Sequence, residues 1–310
     1  MLIAMHMPDH TLAPEVAMGA TLATLAASAW AWRRRRGGAP PSNPTAPAMM
    51  GVVAALVFAG QMVNVAIPGL GVSAHFLGAA TAALLLGPWG GAATIGLVLV
   101  VQCLVFGDGG LTALGANLWN MAIIGVVSTW GVRRMMGGHE GTLAGRLAIA
   151  AVAGATSVLT AAIACAVELA LSDASAALSP LLQYHLMIGA AEGLLTVAVV
   201  GLFEAARAPA SPQRSLWIGG GVALLIAVAL VPFASSLPDG LEAALQAAGI
   251  AEGVGYYSAP LADYALPTSP ALNDSTAAAV VGLSGTLGVF AVVLLAARCL
   301  AALRQRHELV

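Results

Sequence analysis

The chain has 310 residues, of which 59% are hydrophobic and only 8% charged, with a formal net charge of −2. Soluble domains carry roughly 25% charged residues, so this composition excludes an ordinary water-soluble fold, and a mean hydropathy of +0.90 makes the lipid bilayer the solvent to reason with. There is no lysine, which excludes a GxxxxGK[ST] phosphate loop, so any ATP that drives the protein must be hydrolysed by a partner.

In hydrocarbon every backbone polar group must be satisfied within its element, and the long Ala/Leu/Val/Gly runs lack the alternation of barrel strands. An all-α polytopic membrane bundle is therefore expected. Apolar windows of spanning length lie near 13–32, 49–67, 76–90, 91–106, 114–132, 147–171, 183–205, 215–233 and 278–300, which makes about nine spans. The third and fourth are separated only by Gly87-Pro88-Trp89-Gly90-Gly91, so they read either as a broken pair or as a re-entrant element. Arg33 to Arg36, Arg133, Arg134, Arg146, Arg207, Arg214, Arg298, Arg304 and Arg306 all fall beside span ends. Nine spans with an outside N-terminus put every one of them on the cytoplasmic side. The opening stretch has no basic n-region, so a first span is expected there rather than a cleaved signal peptide.

Two proline-containing connectors, 33–48 and 206–214, punctuate the chain. The expected organisation is a seven-span body over 5–205, a linker over 206–214, and a two-span tail over 215–310 whose outer loop, near 234–277, is the longest. Cys103, Cys165 and Cys299 lie far apart in apolar runs with no CxxC pair, which points to packing. No HExxH or GxSxG motif supports an enzyme, and no nucleic-acid partner is expected.

His6, His10 and His75 fall on the outer side of this topology, His185 at the outer start of a span, and His139 and His307 beside cytoplasmic charges. Were Met5 the first residue, its amine, the His6 amide nitrogen and His6 Nδ1 would close fused five- and six-membered chelate rings around one metal. A second imidazole could fill the fourth corner, and planar nitrogen coordination suits Ni(II) or Cu(II), and Co(II) less strictly. Pro8 holds Met7 extended and helps present this head. Met1 to Ala4 precede Met5 as written, so either translation begins at Met5, or those residues are trimmed, or the chelate does not form.

Met5-His6-Met7-Pro8-Asp9 followed by Leu12-Ala13-Pro14-Glu15-Val16 resembles the N-terminal MHIPDG signature of the CbiM/NikM family, the substrate-capture components of energy-coupling-factor transporters for cobalt and nickel. Further matches are Gly71 to Gly78 (GVSAHFLG), Leu86 to Trp89 (LGPW), Val101 to Asn117, and Asn120-Met121. Pro238-Asp239-Gly240-Leu241-Glu242, in the expected outer loop of the tail, resembles the PDGLE motif of the small CbiN/NikN component, so the whole is similar to an M–N fusion. The resemblance implies a metal held by the amine of Met5, the backbone and ring nitrogens of His6, and His75. It also implies Ni2+ or Co2+ as cargo, a transmembrane coupling protein (CbiQ/NikQ-like) and ATPase subunits (CbiO/NikO-like). His10 stands where the family has glycine and is expected to be solvated.

Among the remaining polar residues, Asn117, Asn120 and Gln102 are expected to brace helices or the head as an outer shell of the site. Asp108, among Gly107, Gly109 and Gly110, is expected to shape an outer turn. Glu168 and Glu192 lie in apolar runs, where a carboxylate is a functional candidate. A structural role is expected for Glu168, with an autonomous proton-coupled carrier as the alternative reading of the chain.

Overall fold

The computed structural model describes residues 6–36, 45–206, 212–250, 255–266 and 273–307. Met5, residues 37–44 of the first proline-containing connector and residues 207–211 of the second lie outside these residues.

The apolar windows become helices. In chain order these are α1 (Pro14–Arg36), α2 (Ala46–Gln61), α3 (Ala79–Val101), α4 (Leu114–Asn117), α5 (Val126–Met136), α6 (Leu143–Ala170), α7 (Leu178–Ala206), α8 (Pro212–Leu225), α9 (Gly240–Ala247) and α10 (Asp274–His307). A π-helical turn, Gln102–Phe106, extends α3, and a second π-helical segment, Leu118–Gly125, joins α4 to α5. Five described helical runs are long and apolar enough to cross a membrane: 79–106, 143–170, 175–206, 213–233 and 274–303. The protein is a multi-pass helical membrane protein.

Two departures from the nine apolar windows matter. The window 49–67 ends early: α2 stops at Gln61, and a short antiparallel ribbon follows, β1 (Val65–Ile67) paired with β2 (Val72–Ala74). This ribbon aims His75, the residue after β2. The windows 76–90 and 91–106 join in one helical run, but Gly87 leaves helical space at φ 75°, ψ 169°, a region open essentially to glycine alone. Pro88 contributes by barring the preceding residue from the α conformation. The run folds back there, because Gly91 lies against Ala82 and Ala83, whereas eight residues of straight helix would separate it from Ala83 by about 12 Å. The turn brings Trp89 to Trp30, ring centroids 5.6 Å apart, just before the arginine run Arg33 to Arg36.

Helix α2 is buried from Gly51 to Gln61 and forms the centre of the bundle. It packs against α3, α8 and α10, with Gly51 against the Phe290 ring and Phe58 against Gly285. The tail helices therefore embrace a helix of the body. Helices α6 and α7 form the other close pair; Gly154 and Gly193 let their backbones touch, as small residues do between membrane helices.

Candidate metal centre

The head is buried rather than presented outward. His6 is 4% exposed and Met7 only 1%. Met7 sits among Ala113, Cys165, Leu169, Leu181 and Leu245. Its backbone is held on both sides: its N–H donates to Asn117 Oδ1 (3.0 Å), while its carbonyl accepts from Asn117 Nδ2 (3.2 Å) and from the Gly110 N–H (2.9 Å). Gly110 has no alternative residue, since a Cβ would lie 2.2 Å from Asp9 N. Asp9 accepts from the Thr112 N–H and hydroxyl and from the Tyr256 N–H. The segment after Phe106 is thus shaped to receive the head.

His6 Nδ1 donates to Asp108 Oδ1 at 2.8 Å, and Asp108 Oδ2 accepts from the Tyr264 hydroxyl at 2.5 Å. Gln102 Nε2 donates to the same phenol (3.3 Å), and Tyr264 stacks on Phe106. Asp108 therefore does more than shape a turn: it orients the imidazole. Burial works against a charged His6, but the Asp108 carboxylate overrides it and raises the pKa above the ordinary histidine value.

His75 faces His6 with ring centroids 6.3 Å apart. Its loop is fixed by Glu192, whose two oxygens accept from the Leu77 (2.9 Å) and Gly78 (2.8 Å) N–H groups, and by Gln61 Nε2 donating to the Leu77 carbonyl (3.0 Å). On the other flank the Ser73 N–H donates to the Pro238 carbonyl (2.7 Å) and its hydroxyl to the Leu237 carbonyl (2.7 Å). This docks the tail's PDGLE segment beside β2. Asp239 caps α9, its Oδ1 accepting from the Leu241 and Glu242 N–H groups, and its Oδ2 lies 3.9 Å from His75 Nε2.

Burial, reinforced by His6, pushes His75 down to about 4, and burial pushes Asp239 up to about 7. At 3.9 Å the two groups are too far apart for a hydrogen bond. A neutral imidazole is the form that binds metals.

His6 Nε2 and His75 Nδ1 are both buried without a hydrogen-bond partner. Unpartnered buried polar atoms are rare enough to need an explanation, and an absent ion is one. Two imidazoles binding one ion through bonds of 2.0–2.1 Å place their centroids roughly 6 Å apart when the bonds are nearly opposed and about 4.5 Å apart at adjacent corners of a plane, so the observed 6.3 Å suits opposed bonds and not the adjacent corners that the expected chelate gives the two rings. The chelate expected from the sequence uses His6 Nδ1, however, and here that nitrogen is engaged by Asp108. Among the described residues no group of three or more His, Cys, Asp or Glu side chains is disposed to hold a metal ion.

The structure brings His6, His75, Asn117 and Asn120 together on one cavity, joined by Cys165, His185 and Asp239, and keeps Gln102 off it, linked to His6 through Tyr264 and Asp108. His10 packs against the Tyr256 ring instead, tilted by 39° with centroids 4.3 Å apart. Sequence reasoning missed Asp239 and Tyr264 as neighbours of the site. The PDGLE motif pointed to the first; nothing local singles out the second.

Residues 6–210 match the family described as the cobalt uptake substrate-specific transmembrane region, CbiM, and residues 213–305 match the PDGLE domain. A provisionally named fused nickel transport protein, NikMN, of Archaeoglobus fulgidus is 35% identical over 93% of this chain and 96% of its own. The fused nickel transport protein NikMN of Rhodobacter capsulatus is 33% identical over 72% of this chain and 70% of its own. A crystal structure of a truncated transition-metal transporter superposes with a TM-score of 0.54 and 28% identity, covering 65% of this chain and 99% of that one.

Proposed function

The chain belongs to the CbiM family, fused to a NikN-like module, and is a metal-uptake membrane component; from that membership we propose that it captures Ni2+ or Co2+ between His6 and His75 for an ATP-driven importer of the energy-coupling-factor type. The observation that carries this reading is the convergence of two buried imidazoles, 69 residues apart in sequence, each with an unpartnered ring nitrogen. A transmembrane coupling protein (CbiQ/NikQ-like) and ATPase subunits (CbiO/NikO-like) complete the importer in the cell membrane, with the His6 end outside and the arginine-rich end in the cytoplasm. The body is residues 5–205, the linker 206–214 and the tail 215–310.

A chain whose working first residue is Met5 adds its amine and the His6 amide nitrogen as ligands. Planar chelation then exchanges the His6 Nδ1–Asp108 hydrogen bond for a metal bond and draws the two rings to adjacent corners, closer than the 6.3 Å between their centroids here. Four planar nitrogens and the Irving–Williams order favour Ni2+ over Co2+. The alternative reading, an autonomous proton-coupled carrier, then rests on Glu168, because both oxygens of Glu192 are engaged by backbone N–H groups.

His75→Ala tests the assignment. The variant is expected to insert in the membrane normally and to lose Ni2+ and Co2+ capture; undiminished binding by the purified variant rejects it. Uptake in cells lacking the ATPase partners is expected to fall to background, and uptake that persists there rejects the importer class.

A further inference from the structure

Asp239 is pinned on three sides. Ser73, two residues before His75, forms a parallel bridge with it and hydrogen-bonds the Pro238 and Leu237 carbonyls just ahead of it. Gly240, next in the chain, lies so close to α7 that a Cβ there would stand 2.6 Å from Ile188 Cδ1 and 3.1 Å from His185 Cε1. The Leu241 and Glu242 N–H groups, at the start of α9, hold Asp239 Oδ1 at 2.8 and 2.9 Å. None of these bonds uses Oδ2.

That second oxygen stands 3.9 Å from His75 Nε2, with both side chains only 7% exposed. Both residues line the cavity that His6 also lines. The spacing is too long for a hydrogen bond but fits a shared ion: with bonds of about 2.0–2.2 Å, a nitrogen and an oxygen this far apart subtend an angle of about 140° at one cation between them. Charge points the same way. Two neutral imidazoles leave the charge of a divalent ion uncompensated, and a buried charge needs a counter-charge. Of the two carboxylates beside the histidines among the described residues, Asp108 has both oxygens engaged, by His6 and by Tyr264, whereas Asp239 has one to give.

We propose that Asp239 Oδ2 is an oxygen ligand of the captured Ni2+ or Co2+, paired with His75 Nε2, so that the tail supplies one donor of the site and the body the others. The inference rests on the capture function proposed above. The nitrogens of the head complete the shell as the two rings draw together. This gives the aspartate of the PDGLE segment a task that capping α9 does not require, because the cap uses one oxygen only and asparagine caps equally well.

The test is Asp239→Asn in the purified full chain in lipid nanodiscs. The variant keeps an oxygen for the Leu241 and Glu242 N–H groups and removes the charged Oδ2. Losing even an outer partner of a metal site costs about 10- to 100-fold in affinity, so Ni2+ binding is expected to weaken by about tenfold or more. The melting temperature without metal is expected to stay the same, and the ligand-field absorption of bound Co2+ to shift. Wild-type affinity in Asp239→Asn overturns the oxygen ligand. So does weakened binding with an unchanged Co2+ spectrum, which is what a purely structural role would give. Asp239→Cys puts a thiolate in the same place and is expected to show a sulfur-to-nickel charge-transfer band absent from the wild type; a variant that binds Ni2+ without the band overturns the proposal. Should Asp239→Cys fail to fold, Asp239→Asn decides the matter. These results leave the capture site intact as long as the wild type binds and His75→Ala does not; a wild type that binds neither ion overturns the capture function itself.

Discussion

Asn117→Ala removes the clamp on the head without touching either histidine. The Met7 carbonyl keeps its bond from Gly110, but the Met7 N–H, buried in a 1%-exposed residue, loses its partner. Leaving such a donor unsatisfied costs about 1–3 kcal/mol. If the variant's head leaves its seat to solvate that group, metal binding must restore the seat. At about 1.4 kcal/mol per tenfold, Ni2+ affinity then falls by about 5- to 150-fold. Asn117→Asp is the informative control: it retains an acceptor for the Met7 N–H and loses only the donor to a carbonyl that Gly110 already serves, so its affinity should stay nearer the wild type. Calorimetric titration of the purified chains with Ni2+ measures both. Wild-type affinity in Asn117→Ala, measured beside a His75→Ala variant that has lost binding, would falsify the view that the clamp positions His6.

Glu192→Gln leaves one of the Leu77 and Gly78 N–H groups facing an amide instead of a carboxylate, so the melting temperature is expected to drop by several degrees with no change in the pH profile of uptake; a shifted profile would revive proton coupling. Gly87→Ala forces a side chain into backbone space reserved for glycine, at a cost of about 1–3 kcal/mol, and a lower yield of folded protein with reduced thermal stability should follow, whereas unchanged stability argues against the fold at Gly87. Chains produced to begin at Met5 should bind Ni2+ more tightly than chains retaining Met1 to Ala4, and equal affinities would remove the amine from the ligand set.

The helices were legible because membrane spans are encoded redundantly, by some twenty apolar residues each, and the LGPW turn was visible because Gly87-Pro88 breaks any helix. The β1–β2 ribbon was not, since Val65 and Ala66 are exposed and its apolar residues read as the end of the preceding span. His6 and His75 were legible mainly through the motifs around them. Their surroundings were not: Asp108 meets His6 across 102 residues of chain, and Tyr264 meets Asp108 across 156. Periodicity carries no information about contacts that distant. Nor does sequence disclose which nitrogen of His6 is taken, which is why the expected chelate and the observed Asp108 bond differ.

The embrace of α2 by α8 and α10 bears on how such a chain could be divided. With Phe58 against Gly285 and Phe290 against Gly51, the groove around α2 is filled by the tail, while the PDGLE segment is stitched to β2 by the backbone N–H and the hydroxyl of Ser73. Two separate polypeptides severed between residues 206 and 212 would already possess a complementary interface, so they should find each other in the membrane and stay together. The covalent joint then contributes chiefly effective concentration, in the millimolar range for a short tether, and guarantees that every body is made with its own tail.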